Sequence, residues 1–474
     1  MNRPLRWYDA ITINIYWFAL TARSQVLTPL IVPLLVQRFV GESLKGTYVG
    51  RIRLWTLMVA LLMQALMGLL SDRSTSRWGR RRPFILGGAL GEVIAFLLIG
   101  AIAGLEGLAG YWAFFGVVIL SMVASNAAHA ATQGLIPDLV PLDQRGRYSG
   151  VKALLELPLP LVFTSFVVGN MVAAGNLWGA LLATLSAILI CAALTMAVPE
   201  RRLDGSSTPF DWQPLIRLAL MTAVFTLVIL GTGVLTQALI RPGITADWAI
   251  AAIGALAMAS AVLIGVWASL RVGLGSDAQS HHSFTWWVIN RLFFMVAATN
   301  FAGFMLYFLQ ERYAELAGER AAGPAARVMM AVGIAIIATA LPSGWLSDRF
   351  GKRVLVALSS GVAAAGTVVI LLIPSMGALY IGGALIGAAM GIFYSASWAL
   401  GTEIVPRDQA GRFLGLSNLA GAGAGAIGAY IGGPIADAHG YVLLFTIYGV
   451  MFLLAILALM GVREPSGPAS ASPA

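Results

Sequence analysis

Residues able to do chemistry are few in this chain, and they fall on stripes. Trp17, Thr21, Ser24 and Thr28 recur at i, i+4, i+7 and i+11, one face of a helix, with Arg23 and Gln25 flanking it. Asn126, His129 and Gln133 recur at i, i+3 and i+7. Hydroxyls and an aromatic ring on one stripe suit a polyol, because sugars present apolar C–H faces and many hydroxyls. The other reading stays open: Ser and Thr also bond back to their own helix or pack against a neighbouring one. His129 carries a ring that ordinarily titrates near about pH 6.5. It is a substrate contact, a replacement proton carrier, or a neutral ring bonded to a neighbouring helix. Arg23 calls for a carboxylate, and Glu92 and Glu156 are the acids within reach in sequence terms; a substrate or coupling role is equally open. Arg291 either joins this intramembrane charge pairing or snorkels to an interface. Asn300 and Tyr307 stand seven apart. Tyr394 and Trp398 share a face that could stack on a sugar ring or simply pack. Trp286 and Trp287 read as interface anchors.

Equally informative is what the sequence lacks. There is no phosphate-cradling P-loop, no Gly-x-Ser-x-Gly and no His/Cys cluster of zinc type. No catalytic constellation, metal or cofactor is expected, and an enzyme is not the reading. Cys191 is the single cysteine, which leaves no internal disulfide.

The elements that must position these side chains follow from composition. Of 474 residues, 59% are hydrophobic and 11% charged, and mean hydropathy is +0.84. A soluble domain carries about 25% charged residues, so this is an integral membrane protein. The apolar runs are about twenty residues long, which favours helices over a barrel of short alternating strands. Fourteen spans can be read, from 9–36 and 52–71 through 327–346 and 412–436 to 440–462, and no cleavable signal peptide is evident. The net charge of +9 is topological: most Lys and Arg fall in loops after even-numbered spans, which places both termini in the cytoplasm. Nucleic-acid binding is not the reading.

Two charged loops bring out a repeat. Gly68-Leu-Leu-Ser-Asp-Arg-Ser-Thr-Ser-Arg-Trp-Gly-Arg-Arg-Arg-Pro-Phe84 returns in shorter form as Gly344-Trp-Leu-Ser-Asp-Arg-Phe-Gly-Lys-Arg353. Asp138-Leu-Val-Pro-Leu-Asp-Gln-Arg-Gly-Arg147 returns as Glu403-Ile-Val-Pro-Arg-Asp-Gln-Ala-Gly-Arg412. Spans one to six therefore correspond to nine to fourteen. The expected fold is an all-α membrane protein of two six-helix bundles with two extra central helices. Its domains are 1–198, a linker and inserted pair over 199–283, the second bundle over 284–462, and a disordered cytoplasmic tail over 463–474. The glycine run Gly421–Gly428 permits close helix approach.

With these loops after the second helix of each bundle, the chain resembles the major facilitator superfamily of secondary transporters. A narrower resemblance is to its sucrose and glycoside transporters. Ser71-Asp-Arg-Ser-Thr-Ser-Arg-Trp-Gly-Arg-Arg-Arg-Pro-Phe84, Leu27-Thr-Pro29, and Gln133-Gly134 followed by Asp138 carry it. Two positions depart from the superfamily's proton-coupling patterns: Asn126 stands where sucrose-like members carry an acid, and Ala130 where drug–proton exchangers carry Arg.

The resemblance implies alternating access about a site near the bilayer midplane, lined by spans one, four, nine and twelve. That makes Trp17, Thr21, Arg23, Ser24, Gln25, Asn126, His129, Gln133, Asn300, Tyr307, Tyr394 and Trp398 the candidate substrate contacts. It implies a conformational latch of Asp72, Arg73, Arg80, Arg81, Arg147, Asp348, Arg349, Arg353 and Arg412. The expected partners are a small-molecule substrate, a coupling ion and the lipid bilayer of the cell membrane, with the chain acting as a monomer. A sugar or glycoside moved with a cation is the leading reading. Efflux of amphipathic compounds and a non-transporting assembly or pigment-delivery factor on the same fold are the alternatives.

Overall fold

In a bilayer, backbone polar groups have no water to bond, so long apolar segments close their hydrogen bonds internally as helices. A computed structural model describes residues 5–198, 200, 212–240, 246–274, 282–405 and 410–463, with backbone alone for 273–274 and 410–420. Among the described residues there is no strand. Thirteen helices there are long and apolar enough to cross a membrane. We label them α1 (Asp9–Val40), α2 (Lys45–Asp72), α3 (Arg82–Ile102), α4 (Gly107–Leu139), α5 (Arg145–Ala173), α6 (Leu177–Thr195) and α7 (Gln213–Ile240). Next come α8 (Asp247–Val272), α9 (His282–Arg312), α10 (Gly318–Phe350), α11 (Lys352–Leu372), α12 (Met376–Ile404) and, after the helix below, α14 (Tyr441–Gly461). The long helix α13 (Ala410–His439) lies between α12 and α14, making fourteen. The protein is a multi-pass membrane protein. The linker residues 201–211 and the tail beyond Arg463 lie outside the described residues.

Two helices widen locally. Pro29 and Pro33 lack the N–H that α1 needs, and the chain forms a π turn over Leu27–Ile31, at the Leu-Thr-Pro motif. In α5, Pro158 and Pro160 precede a second π turn over Phe163–Val168.

Contacts divide the chain into two compact units. The first holds residues 1–219 with 302–333 and 432–441; the second holds 220–301, 334–431 and 442–474. Within the first unit, α2 and α13 pack backbone to backbone: a Cβ on Gly46 would stand 2.7 Å from the Gly433 carbonyl. Ser165 Oγ donates to the Ala326 carbonyl at 2.9 Å, joining α5 to α10. A polar cavity of about 400 Å³ lies beside the α1–α2 loop, lined by Gln37, Glu42, Lys45, Gln310, Glu311 and Asp437 among others. Asp437 accepts the N–H groups of Gly46 and Thr47, each at 2.7 Å, so α2 begins at Lys45, well before the apolar run at 52.

Within the second unit, the inserted helix α7 lays Phe225 between Gly265 of α8 and Gly423 of α13. Phe294 of α9 stacks on Phe393 of α12, with centroids 3.8 Å apart.

Candidate functional site

The first unit contains a buried ion pair. Arg23 Nε lies 3.0 Å from Glu92 Oε1, and their side chains are 4% and 3% exposed. Ser121 Oγ donates to Glu92 Oε2 at 2.7 Å and accepts a short hydrogen bond from Arg23. Arg23 also reaches Met122 Sδ at 3.6 Å. The guanidinium of Arg23 is therefore engaged by three side chains, and the pair ties α1, α3 and α4 together. Glu156, the other sequence candidate for Arg23, sits instead 3.4 Å from Lys152 on its own helix.

A second cluster gathers around Trp17. His129 meets the Trp17 ring edge-on, with centroids 5.3 Å apart. Lys152 Nζ lies 3.8 Å above the same ring, a cation–π contact worth about 0.5–2 kcal/mol. His129 Nε2 is 3.3 Å from Gln133 Nε2, and Gln64 donates to Gln133 Oε1 at 3.4 Å. The stripes on α1 and α4 thus meet, joined by Gln64 of α2 and Lys152 of α5. Neither of those two was singled out from sequence. Lys152 and Glu156 stand one helical turn apart, and that spacing was the available signal.

Several threonines of the bundle bond back to their own helix, and the hydroxyls of this stripe do not. Thr56, Thr132, Thr184 and Thr195 all donate to the carbonyl four residues back. Among the described residues, Thr21, Ser24 and Gln25 make no such bond, and Ser24 is exposed. Asn126 departs from the expected face: it is 8% exposed and donates to the Met122 carbonyl at 2.8 Å.

In the second unit, the Arg291 guanidinium carbon is 5.9 Å from the Trp287 ring centre and 5.7 Å from that of Trp398. Tyr394 lies beside it. Trp287 is fully buried, and its N–H reaches the Ser397 carbonyl at 2.9 Å and Oγ at 3.2 Å, so it forms a wall and not an interface anchor. Asn300 does not join this group. It is fully buried, donates to the Val296 carbonyl at 2.8 Å and packs against Gly428 of the glycine run. Tyr307 belongs to the first unit, where its hydroxyl donates to the Pro33 carbonyl at 2.6 Å and its ring faces Lys45 Nζ at 4.6 Å.

The charged loop between α2 and α3 folds around Arg81, which is 6% exposed. Arg81 reaches Asp72 at 2.5 Å, Asp138 at 2.9 Å and Ser71 Oγ at 2.6 Å. Arg80 pairs with Asp138 as well. Glu200, beyond α6, accepts the N–H groups of Arg81 and Arg82 at 2.6 and 3.0 Å and so caps α3. Burial pushes the Glu200 carboxyl above its ordinary value, while those N–H bonds and the two arginines pull it down. Gly79 approaches this carboxylate with φ of 104°, where a Cβ would stand 2.5 Å from an oxygen. In the second loop, Lys352 pairs with Glu403, and Arg349 lies over the Trp345 and Phe350 rings. Arg73 donates to the Leu69 carbonyl at 3.4 Å, Asp348 is exposed, and Arg353 opens α11. Arg147 makes no ion pair among the described residues, and the side chain of Arg412 lies outside them. Asp138, Glu200 and Glu403 are the acids that hold these loops; Asp138 and Glu403 stand in the repeated motif, whose sequence gives no sign of the basic side chains they pair with.

A membrane protein of fourteen helices with this loop architecture has the major facilitator fold. Residues 288–474 match the Major Facilitator Superfamily family model. A 101-residue stretch is 36% identical to the sucrose transport protein SUC4 of Arabidopsis thaliana, and it spans 18% of this chain and 19% of that protein. The fold is similar to that of the nucleoside transporter NupG, with a TM-score of 0.66 over 95% of this chain and 99% of that one at 14% identity. It is also similar to an auto-inhibited POT family peptide transporter, with a TM-score of 0.63 over 98% of each chain at 13% identity. The fold is thus that of the major facilitator transporters, and the family match lies in the second half of the chain.

Proposed function

We propose that this protein is a secondary transporter working by alternating access, and that it moves a sugar or glycoside with a coupled cation. The observation that carries the reading is the Trp17 cluster, in which a nearly buried indole, 4% exposed, gathers with amides on Gln64 and Gln133 and with hydroxyls on Thr21 and Ser24 not bonded to their own helix. Apolar ring faces of a sugar match the indole, and its hydroxyls match the amides. The partial likeness to a sucrose transport protein supports the same cargo. Coupling falls to the imidazole of His129, which faces Gln133 within this cluster, since Asn126 carries no ionisable group. The charged loops act as the latch, and residues 1–198 and 284–462 as the moving bundles, in a cell membrane with both termini cytoplasmic.

Uptake by the purified protein in liposomes tests this. Under an inward proton gradient, labelled sucrose or an aryl glucoside accumulates, and Trp17→Ala lowers the initial rate about tenfold or more, the loss expected for a stacking wall of about 1.4 kcal/mol. Flux of hydrophobic cations with none of any sugar would replace the cargo. No flux of either class would remove the transporter reading in favour of an assembly role.

A further inference from the structure

Several basic side chains of the first unit have an acid at hand. Arg23 has Glu92, Lys152 has Glu156, Lys45 has Glu42, and Arg81 has Asp72 and Asp138. Arg291 does not. Its Nε and Nη1 are buried without a hydrogen-bond partner, and no carboxylate lies within ion-pair distance among the described residues. It sits on α9, of whose apolar stretch 89% is buried. At about 1.5 Å per residue it lies roughly 14 Å from the start of that helix. An arginine there is costly and persists where something answers its charge.

The surroundings define what that something is. Trp287 and Trp398 flank the guanidinium at 5.9 and 5.7 Å, and neutral Tyr394 is beside it. Trp287 is pinned by Ser397, whereas Trp398 keeps 41% of its surface uncovered. A guanidinium beside two indoles offers its N–H groups as a fork, which matches the two oxygens of a carboxylate. The open face of Trp398 suits a ring next to that carboxylate.

We propose that Arg291 is the recognition group for a carboxylate on the cargo, carried by a ring that stacks on Trp398. This inference rests on the sugar reading above and narrows it from neutral sugars to ring-bearing acids.

Binding to the purified full-length protein tests it, with three probes: phenyl β-D-glucoside, phenyl β-D-glucuronide, which differs only in its carboxylate, and benzoate. We expect the glucuronide to bind about tenfold or more tightly than the glucoside, as one charge-assisted pair provides. Arg291→Gln removes that preference while glucoside binding persists. Arg291→Lys, which keeps charge and loses the planar fork, retains only part of it. Should Arg291→Gln fail to fold, the wild-type preference and Arg291→Lys decide. Equal binding of the two glycosides by wild type, or a preference that survives these substitutions, overturns the role of Arg291 and leaves the sugar reading standing. Benzoate binding that depends on Arg291, with neither glycoside bound, supports the anion site and overturns the sugar reading. No binding of any probe overturns both.

Discussion

Arg23 places a guanidinium, 3% exposed, inside the first unit. Two acids, Glu92 and Glu156, stand available to it in the sequence, with a stripe of hydroxyls beside it. In the fold it is committed to Glu92 and Ser121, with both charges almost wholly buried. Removing one member of such a pair leaves the other uncompensated, at about 3–5 kcal/mol, whereas replacing both with apolar groups is nearly neutral. Glu92→Gln should therefore lower the melting temperature in detergent sharply, and Arg23→Met with Glu92→Leu should recover most of it. A Glu92→Gln protein that melts like the wild type but no longer accumulates substrate would move the pair from scaffold to transport machinery. The Trp17 cluster was half legible. The spacing put Trp17 on one stripe and His129 with Gln133 on another. Nothing local indicated that Lys152 would cross from α5 to sit over the indole, because that depends on how two helices pack and not on either helix alone.

At the scale of elements, the helices were legible and their ends were not. Hydropathy marks where a span must run, since lipid enforces it. It says nothing of where a helix stops once it has left the lipid, because polar caps decide that. Here the caps come from far away in sequence: Asp437 caps α2 across 391 residues, Glu311 caps α14 across 130, and Glu200 caps α3 across 119. Asp437→Ala removes the acceptor for two N–H groups, and a lost cap costs about 0.5–2 kcal/mol. We expect the melting temperature to fall accordingly, and Asp437→Asn to restore part of it; no change would mean that water serves as well. The neighbouring Glu42 adds a pH dependence. Burial alone would raise its carboxyl, but hydrogen bonds from Lys45 and Gln37, with the Lys45 charge, hold it below its ordinary value. A lowered carboxyl favours the folded contact above the ordinary carboxylate range and loses it as pH falls through the lowered value. The stability gap between wild type and Glu42→Gln should thus be open at neutral pH and close in acid. A gap unchanged down to about pH 3 would rule out this contribution.

For the whole molecule, the internal repeat is the organising fact, and it reaches down to single ion pairs. Asp138 and Glu403 occupy the same place in the repeated motif, as do Arg80 and Lys352 in the charged loops. The structure joins Arg80 to Asp138 and Lys352 to Glu403, one bond in each half made of different residues with the same charges. The arginines shared by the two copies, Arg147 and Arg412, drew attention from sequence because they are identical, while the working acids differ between copies and were passed over. The two joints are not equally strong. Asp138 also holds Arg81, whose side chain is 7% exposed, whereas Glu403 is 45% exposed and holds one lysine. Exposed pairs contribute about 0–1 kcal/mol, and taking one of its two carboxylates from a buried charge costs more, although Asp72 still holds Arg81. Asp138→Asn should therefore destabilise the protein by about 2–4 kcal/mol, while Glu403→Gln should stay within about 1 kcal/mol. If both loops also latch the transport cycle, each substitution lowers the initial uptake rate, and Glu403→Lys with Lys352→Glu restores it in the second half. Thermal unfolding and initial uptake rates, measured on the same preparations, separate the two effects. Equal destabilisation by the two single substitutions would overturn the asymmetry. Unaltered uptake in both would confine these joints to holding loops against helix ends.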